Sequence, residues 1–141
     1  MPVDAAVKPG TAHEPIGPRG NDRVALVIPT LHEVESLRGV LRMAQDSLEA
    51  ANTPYEILVV DDDSQDGTEE LVRSISSQDS RIRLLVRKGE RGLSGAILYG
   101  WRHTSAEILG VMDADLQHPP ELLPRLIDEM QQGRDVVVGS R

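Results

Sequence analysis

The chain has 141 residues, 39% of them hydrophobic and 27% charged, which suits one globular domain with a real core and excludes a disordered or fibrous protein. Its formal net charge of −8 argues against a nucleic-acid partner, because such binders are usually basic. There is no cysteine, hence no disulfide framework and no thiolate metal site, and no apolar run approaches the roughly 20 residues that span a bilayer. The N-terminus lacks the apolar core of a signal peptide.

Residues 1–22 hold Pro2, Pro9, Pro15 and Pro18 with Gly10, Gly17 and Gly20 and show no periodicity, so they read as a disordered tail ahead of a domain over 23–141. From Arg23 the pattern becomes regular. "RVALVIP" (Arg23–Pro29) predicts a buried strand. A helix follows with Leu37, Val40, Leu41, Ala44 and Leu48 on one face. "YEILVVD" (Tyr55–Asp61) predicts a second strand, and Asp66 or Thr68 can cap a helix carrying Leu71, Val72 and Ile75. "IRLLVR" (Ile82–Arg87) predicts a third strand. A glycine-rich turn then leads to a helix with Leu93, Ile97 and Trp101 inward. "EILGVMD" (Glu107–Asp113) predicts a fourth strand. Pro119 or Pro120 suits a first helical turn, Leu122, Leu123, Leu126, Ile127 and Met130 line the next helix, and Pro124 belongs near its start. "DVVVGSR" (Asp135–Arg141) predicts the start of a fifth strand. Alternating strands and helices, with strands apolar on both faces, predict an α/β fold whose mostly parallel sheet is covered on both sides.

Ligands of such sheets bind at the carboxyl ends of the strands, and the unusual residues collect there. "DAD" sets Asp113 and Asp115 one residue apart, pointing the same way in an extended segment. Two carboxylates so placed repel unless a cation lies between them, and a hard ion such as Mg²⁺ or Mn²⁺, shared with a substrate diphosphate, answers that; Gln117 could add an oxygen. The same spacing also fits a solvated acidic turn with Asp115 capping the next helix. In "VVDDDSQDGT", Asp61, Asp62 and Asp63 can accept hydrogen bonds from a base or ribose; a turn with helix-dipole compensation is the alternative. In "RKGERGLSGA", Lys88 and Arg91 lie among glycines before a helix, an arrangement that attracts phosphate, or else a flexible basic turn. The stretch is neither G-x-G-x-x-G nor G-x-x-x-x-G-K-[ST], so dinucleotide and P-loop readings lose support. His103 reads as a surface or packed residue and Trp101 as core. Together these features suggest a nucleoside diphosphate with Mg²⁺ or Mn²⁺.

"VIPTLHEVESL", "EILVVDDDSQDGT", "GERGLSGAILYGW" and "GVMDADLQHPPELLP", in this order over about Val24 to Arg141, resemble family-two glycosyltransferases of the GT-A fold, nearest to those acting on dolichol or polyprenol phosphate. The resemblance implies a Rossmann-like three-layer sandwich, incomplete at the C-terminus. It implies that Pro29, Thr30 and Glu33 border the nucleoside, and that Asp61, Asp62 and Asp63 hold base and ribose, with Lys88 and Arg91 also on the nucleotide sugar. It implies that Asp113, Asp115 and Gln117 carry the metal and that Ser140 and Arg141 of "GSR" meet phosphate, Asp115 and Arg141 counting as catalytic. His32 stands where the family usually has asparagine. The implied reaction is inverting transfer of a sugar from GDP-mannose, with UDP-glucose as the alternative donor, to a polyprenyl or dolichyl phosphate. The implied location is cytoplasmic, at the membrane surface.

The same family's catalytic domains run to roughly 200 residues or more, so the resemblance further implies a chain that keeps the nucleotide half and is catalytically weak alone. The competing expectation is a non-catalytic nucleotide- or metal-binding module that needs a partner. Receiver-like and haloacid-dehalogenase-like readings fail because their acidic pair should follow the first strand, where "VIPT" stands here.

Overall fold

A computed structural model describes residues 22–115 and 119–139. Four strands, β1 (Val24–Thr30), β2 (Tyr55–Asp61), β3 (Ile82–Val86) and β4 (Ile108–Val111), alternate with helices α1 (Val34–Ala50), α2 (Thr68–Ser76) and α3 (Leu93–Arg102). A 3₁₀ turn at Pro120–Leu122 leads into α4 (Leu123–Gln131). The expected tail lies outside the described residues, apart from Asp22.

All strand pairs are parallel, in the order β3-β2-β1-β4. The chain steps outward from β1 to β2 to β3, then returns to place β4 on the other side of β1. Parallel crossovers are right-handed, so this reversal sends α3 to the opposite face from α1 and α2. The core divides accordingly. Val24, Leu26, Ile28, Ile57 and Val59 face α1, α2 and α4, while Ala25, Val27, Leu58 and Val60 face α3. Every residue of β1 and β2 is buried, which explains their unbroken apolar runs. The reversal puts the topological switch point between β1 and β4, where open α/β sheets bind their ligands.

The helices form where periodicity predicts. The buried residues of α1 are Leu37, Val40, Leu41, Ala44, Ser47 and Leu48. Pro124 falls in the first turn of α4, where its missing N–H costs nothing. Three expectations need correction. Leu93, expected inward on α3, is 59% exposed. This helix instead packs through Ala96 and Gly100, because its axis runs close over β1 and β2; a Cβ on Gly100 would lie 2.7 Å from Val27 Cγ2. On α4 only Ile127 is buried, and Leu122 stays 37% exposed. The expected fifth strand is absent over 135–139 among the described residues. Val136 and Val138 are exposed, and a Cβ on Gly139 would lie 3.7 Å from Leu126 of α4 and 4.0 Å from Leu122 of the 3₁₀ turn. Three consecutive valines favour a strand only where a ladder partner takes their backbone groups.

Candidate nucleotide-sugar site at the switch point

Two loops build the floor of the site. One follows β1 and the other follows β2, and they are laced together. Asp62 N–H donates to the Thr30 carbonyl at 3.1 Å and His32 N–H to Ser64 Oγ at 2.9 Å. Thr30 Oγ1 donates to Asp61 Oδ1 at 2.8 Å; Ser64 donates to the same carboxylate through Oγ at 2.5 Å and through its N–H at 2.9 Å. His32, Asp63 and Gln65 adopt left-handed backbone, with φ of 58, 56 and 53°. That region favours Asn, Asp and His among non-glycine residues, so the histidine at the family's asparagine position keeps the turn.

Asp66 ties the second loop to its helix. Its Oδ1 accepts from Thr68 N–H at 3.1 Å and from Thr68 Oγ1 at 2.6 Å, at the start of α2. Asp66 also lies with Val34, the first residue of α1, in the wall of one cleft, and the Val34 backbone N–H helps to lower its pKa. Burial pushes its pKa up, but these donors outweigh that and hold the carboxyl below its usual value. One side chain thus holds the start of α2 while standing beside the start of α1, which neither spacing nor composition could reveal.

The three consecutive aspartates separate into different environments. Asp61 is 2% exposed and engaged by Thr30 and Ser64. Through these bonds it shapes the loop from inside. Asp62, also buried, takes two hydrogen bonds from Arg87, at 2.7 and 3.1 Å, and one from Gly92 N–H at 3.0 Å. Burial raises its pKa, but Arg87, the Gly92 N–H and the charge of Arg91 lower it further. Asp63 is partly exposed, and Gln65 is the partner it accepts from, at 3.3 Å. Sequence reasoning placed Arg87 only at the end of a strand and missed its role. Its signal was a cation directly after an apolar strand and across from an acidic run.

Asp113 and Asp115 leave the sheet just past the last β4 pair, Val27 with Val111. Asp113 is partly buried and Asp115 exposed, while Ala114 between them is buried. Ser36 Oγ, on the first turn of α1, donates to the Ala114 carbonyl at 2.5 Å and to the Glu33 carbonyl at 3.2 Å. That bond moors the acidic motif to the β1 loop. Burial raises the pKa of the Glu33 carboxyl, a backbone bond at Leu31 opposes it, and the charges of Asp115 and Asp113 raise it further. The Glu33 carboxyl therefore feels both aspartates at the switch point. His32, Glu33, Val34, Glu35, Ser36 and Asp66 line a cleft of about 520 Å³ beside them.

This donor set fits a hard divalent cation. All donors are oxygens, and among the described residues no group of three or more acidic or histidine side chains is gathered tightly enough to enclose an ion alone. Two carboxylates with room for further ligands suit an ion that a diphosphate helps to coordinate. Gln117, Ser140 and Arg141 lie outside the described residues. Lys88 and Arg91 are exposed on the loop after β3, three strands from β4 and about 14 Å away at ordinary strand spacing. Topology therefore places them beside Asp62, not beside the paired aspartates. Trp101 is half-buried with Nε1 donating to the Gly110 carbonyl at 3.2 Å, and exposed His103 approaches the Tyr99 carbonyl at 2.7 Å.

The sequence profile of glycosyl transferase family 2 matches residues 25–141. The chain belongs to that family. A dolichol-phosphate mannosyltransferase of Pyrococcus furiosus is 42% identical over 119 residues, covering 84% of this chain and 33% of that protein. An undecaprenyl-phosphate 4-deoxy-4-formamido-L-arabinose transferase of Salmonella choleraesuis is 38% identical over 116 residues, covering 82% of this chain and 36% of that protein. The chain thus spans about a third of the length of these family-two relatives. Among solved GT-A structures, a mannosyltransferase from Pyrobaculum calidifontis in complex with GDP-Man and Mn²⁺ superposes with a TM-score of 0.61 at 26% identity, over 79% of this chain and 33% of that one. The family-two fold seen here is the expected α/β one, with its four described strands parallel.

Proposed function

We propose that this chain binds a nucleoside-diphosphate sugar, with GDP-mannose as donor and Mg²⁺ or Mn²⁺ as cofactor, for inverting transfer to a polyprenyl or dolichyl phosphate at the cytoplasmic face of a membrane. One observation carries the reading: Asp113 and Asp115 leave the sheet at the β1–β4 switch point, and Ser36, in the wall of the cleft beside them, donates to the Ala114 carbonyl between them. An anionic diphosphate would be repelled there unless a cation came with it. When bound, the ion would neutralise charge growing on the leaving diphosphate.

The chain's own residues supply placement. Asp113 and Asp115 would hold the ion, with Gln117 as a further oxygen donor. Thr30 and Asp61 keep the β1 and β2 loops together, so Pro29, Glu33 and Asp63 border the nucleoside on a fixed frame. Asp62, Lys88 and Arg91 stand at its far end, and Ser140 and Arg141 would meet phosphate. The acceptor's phosphate monoester has a second pKa near 6 and is anionic at neutral pH. Its oxygen forms the new bond to the anomeric carbon while the bond to the donor diphosphate breaks, and the electron pair leaves with the diphosphate. Such a nucleophile needs orientation more than a strong base.

The names of the two curated relatives support a polyprenyl-type phosphate acceptor, and the GDP-Man and Mn²⁺ complex supports the donor and the ion. A second reading is a nucleotide-binding module that needs a partner for turnover. Incubation with radiolabelled GDP-mannose, Mn²⁺ and dolichyl phosphate separates the two. Label entering the lipid extract, and abolished by EDTA, supports transfer. Donor binding without transfer supports the module. Transfer from UDP-glucose alone, or transfer indifferent to EDTA, contradicts the proposal.

A further inference from the structure

The loop after β3 has little to hold it. Residues 88–94 are all exposed, so side-chain burial does not set their course. The hydrogen bonds that tie the stretch to the body run to two buried side chains. Arg87 Nε and Nη2 donate to Asp62 Oδ1 and Oδ2 at 2.7 and 3.1 Å. Nη2 also donates to the Gly92 carbonyl at 3.3 Å, and Nη1 to Glu90 Oε2 at 3.5 Å. From the loop side, Gly92 N–H donates to Asp62 Oδ2 at 3.0 Å. The Arg87 and Asp62 side chains are each only 6% exposed. A Cβ on Gly95 would lie 2.6 Å from Arg87 Nη1, so a glycine in the first turn of α3 makes room for the guanidinium.

A buried ion pair is weak evidence of stability, because desolvating both charges costs about what their attraction returns. What this pair supplies is geometry. A planar guanidinium forked onto a carboxylate has one orientation, which a lysine ammonium cannot reproduce. The pair sits where β3 hands over to the loop, and the loop carries Lys88 and Arg91.

We infer that Arg87 is a positioning residue for the donor site: forked onto Asp62, it fixes residues 88–92 and the start of α3 beside the end of β2, so that the nucleoside end of the site stands built before a ligand arrives. The inference rests on the nucleotide reading above. A loop already ordered does not charge its ordering entropy to binding.

Two variants test it without leaving a lone buried charge. Arg87→Lys keeps the cation and loses the fork; Asp62→Asn with Arg87→Gln replaces the ion pair by a neutral one. Hydrogen exchange over 88–94, GDP affinity with Mn²⁺ present, and binding of Mn²⁺ alone by its paramagnetic resonance signal are measured for each. Exchange over 88–94 should rise in both variants while β1 and β2 stay protected. GDP affinity should fall about tenfold, or about 1.4 kcal/mol. Mn²⁺ binding should not move, since Asp113 and Asp115 stand across the sheet. Gly95→Ala, which crowds the same guanidinium, should combine with Arg87→Lys less than additively. The inference is overturned if the loop stays protected and GDP affinity is kept in both variants, or if Mn²⁺ binding is lost along with GDP. If the unaltered chain binds no GDP, the nucleotide reading falls with the donor half of this inference, while exchange over 88–94 still decides whether Arg87 holds the loop.

Discussion

His32 sits at φ 58° and donates its N–H to Ser64 Oγ, so this position is defined by its backbone more than by its ring. Left-handed backbone costs an ordinary L-residue about 1–2 kcal/mol, and Asn and His tolerate it best. His32→Asn should therefore leave stability within about 0.5 kcal/mol of the unaltered chain. His32→Val should lose about 1–2 kcal/mol in urea unfolding; equal midpoints for the two variants would refute the argument. At this scale the sequence was partly legible. Asp113 and Asp115 could be picked out because paired like charges after an apolar strand demand an explanation; Glu33 came only from the family resemblance, and the charges of the two aspartates help to raise its pKa. The division of labour within Asp61-Asp62-Asp63 could not, because it depends on partners 25 to 31 residues away, Arg87 and Thr30. The same is true of Asp66, which stands beside Val34 at the start of α1.

At the scale of elements, α3 shows how tertiary packing overrides a periodic reading. Its approach to β1 and β2 is set by Gly100, which would place a Cβ 2.7 and 2.9 Å from the Val27 methyls and 3.1 Å from Val60 Cγ2. Glycine to alanine inside a helix ordinarily gains up to about 1 kcal/mol. Here overpacking, at about 1–3 kcal/mol, should win. Gly100→Ala should lower the melting temperature, and a rise would show that the helix has room to withdraw. The strands were legible because buried parallel strands are apolar throughout, and α1 because one helical face carries all its core residues. Leu93 was misread because helical periodicity does not say how close a helix lies to its sheet. The valines of 135–139 were misread because strand propensity does not supply a ladder partner.

For the whole molecule, the reversal of strand order between β1 and β4 collects acidic groups at one edge, and acid should expose how they are held. Burial raises the pKa of Asp62 and Asp66 at this edge, and of Glu56 at the amino end of β2 beside Thr104, Arg83 and Arg23, but hydrogen bonds, and for Asp62 and Glu56 cationic neighbours, outweigh it, so all three fall below ordinary values of 3.8, 3.8 and 4.5. A depressed carboxyl stabilises the fold above its unfolded pKa, and that contribution is lost as pH falls through the lower folded value. Glu33, whose pKa is raised, works in the opposite sense. Stability should therefore hold near neutrality and decline below about pH 4.5. An Asp66→Asn variant should show a shallower decline, and a parallel curve would remove Asp66 from the account. The alternation of strands and helices made the architecture legible in the sequence, whereas the switch point appeared only once β4 was seen beside β1. The most direct test of the central claim is calorimetric titration of GDP, with Mn²⁺ and with EDTA, into the unaltered chain and an Asp113→Ala, Asp115→Ala double variant that melts normally. The account predicts binding that requires Mn²⁺ and disappears in the double variant; binding of equal strength in EDTA, or undiminished in the double variant, would contradict it.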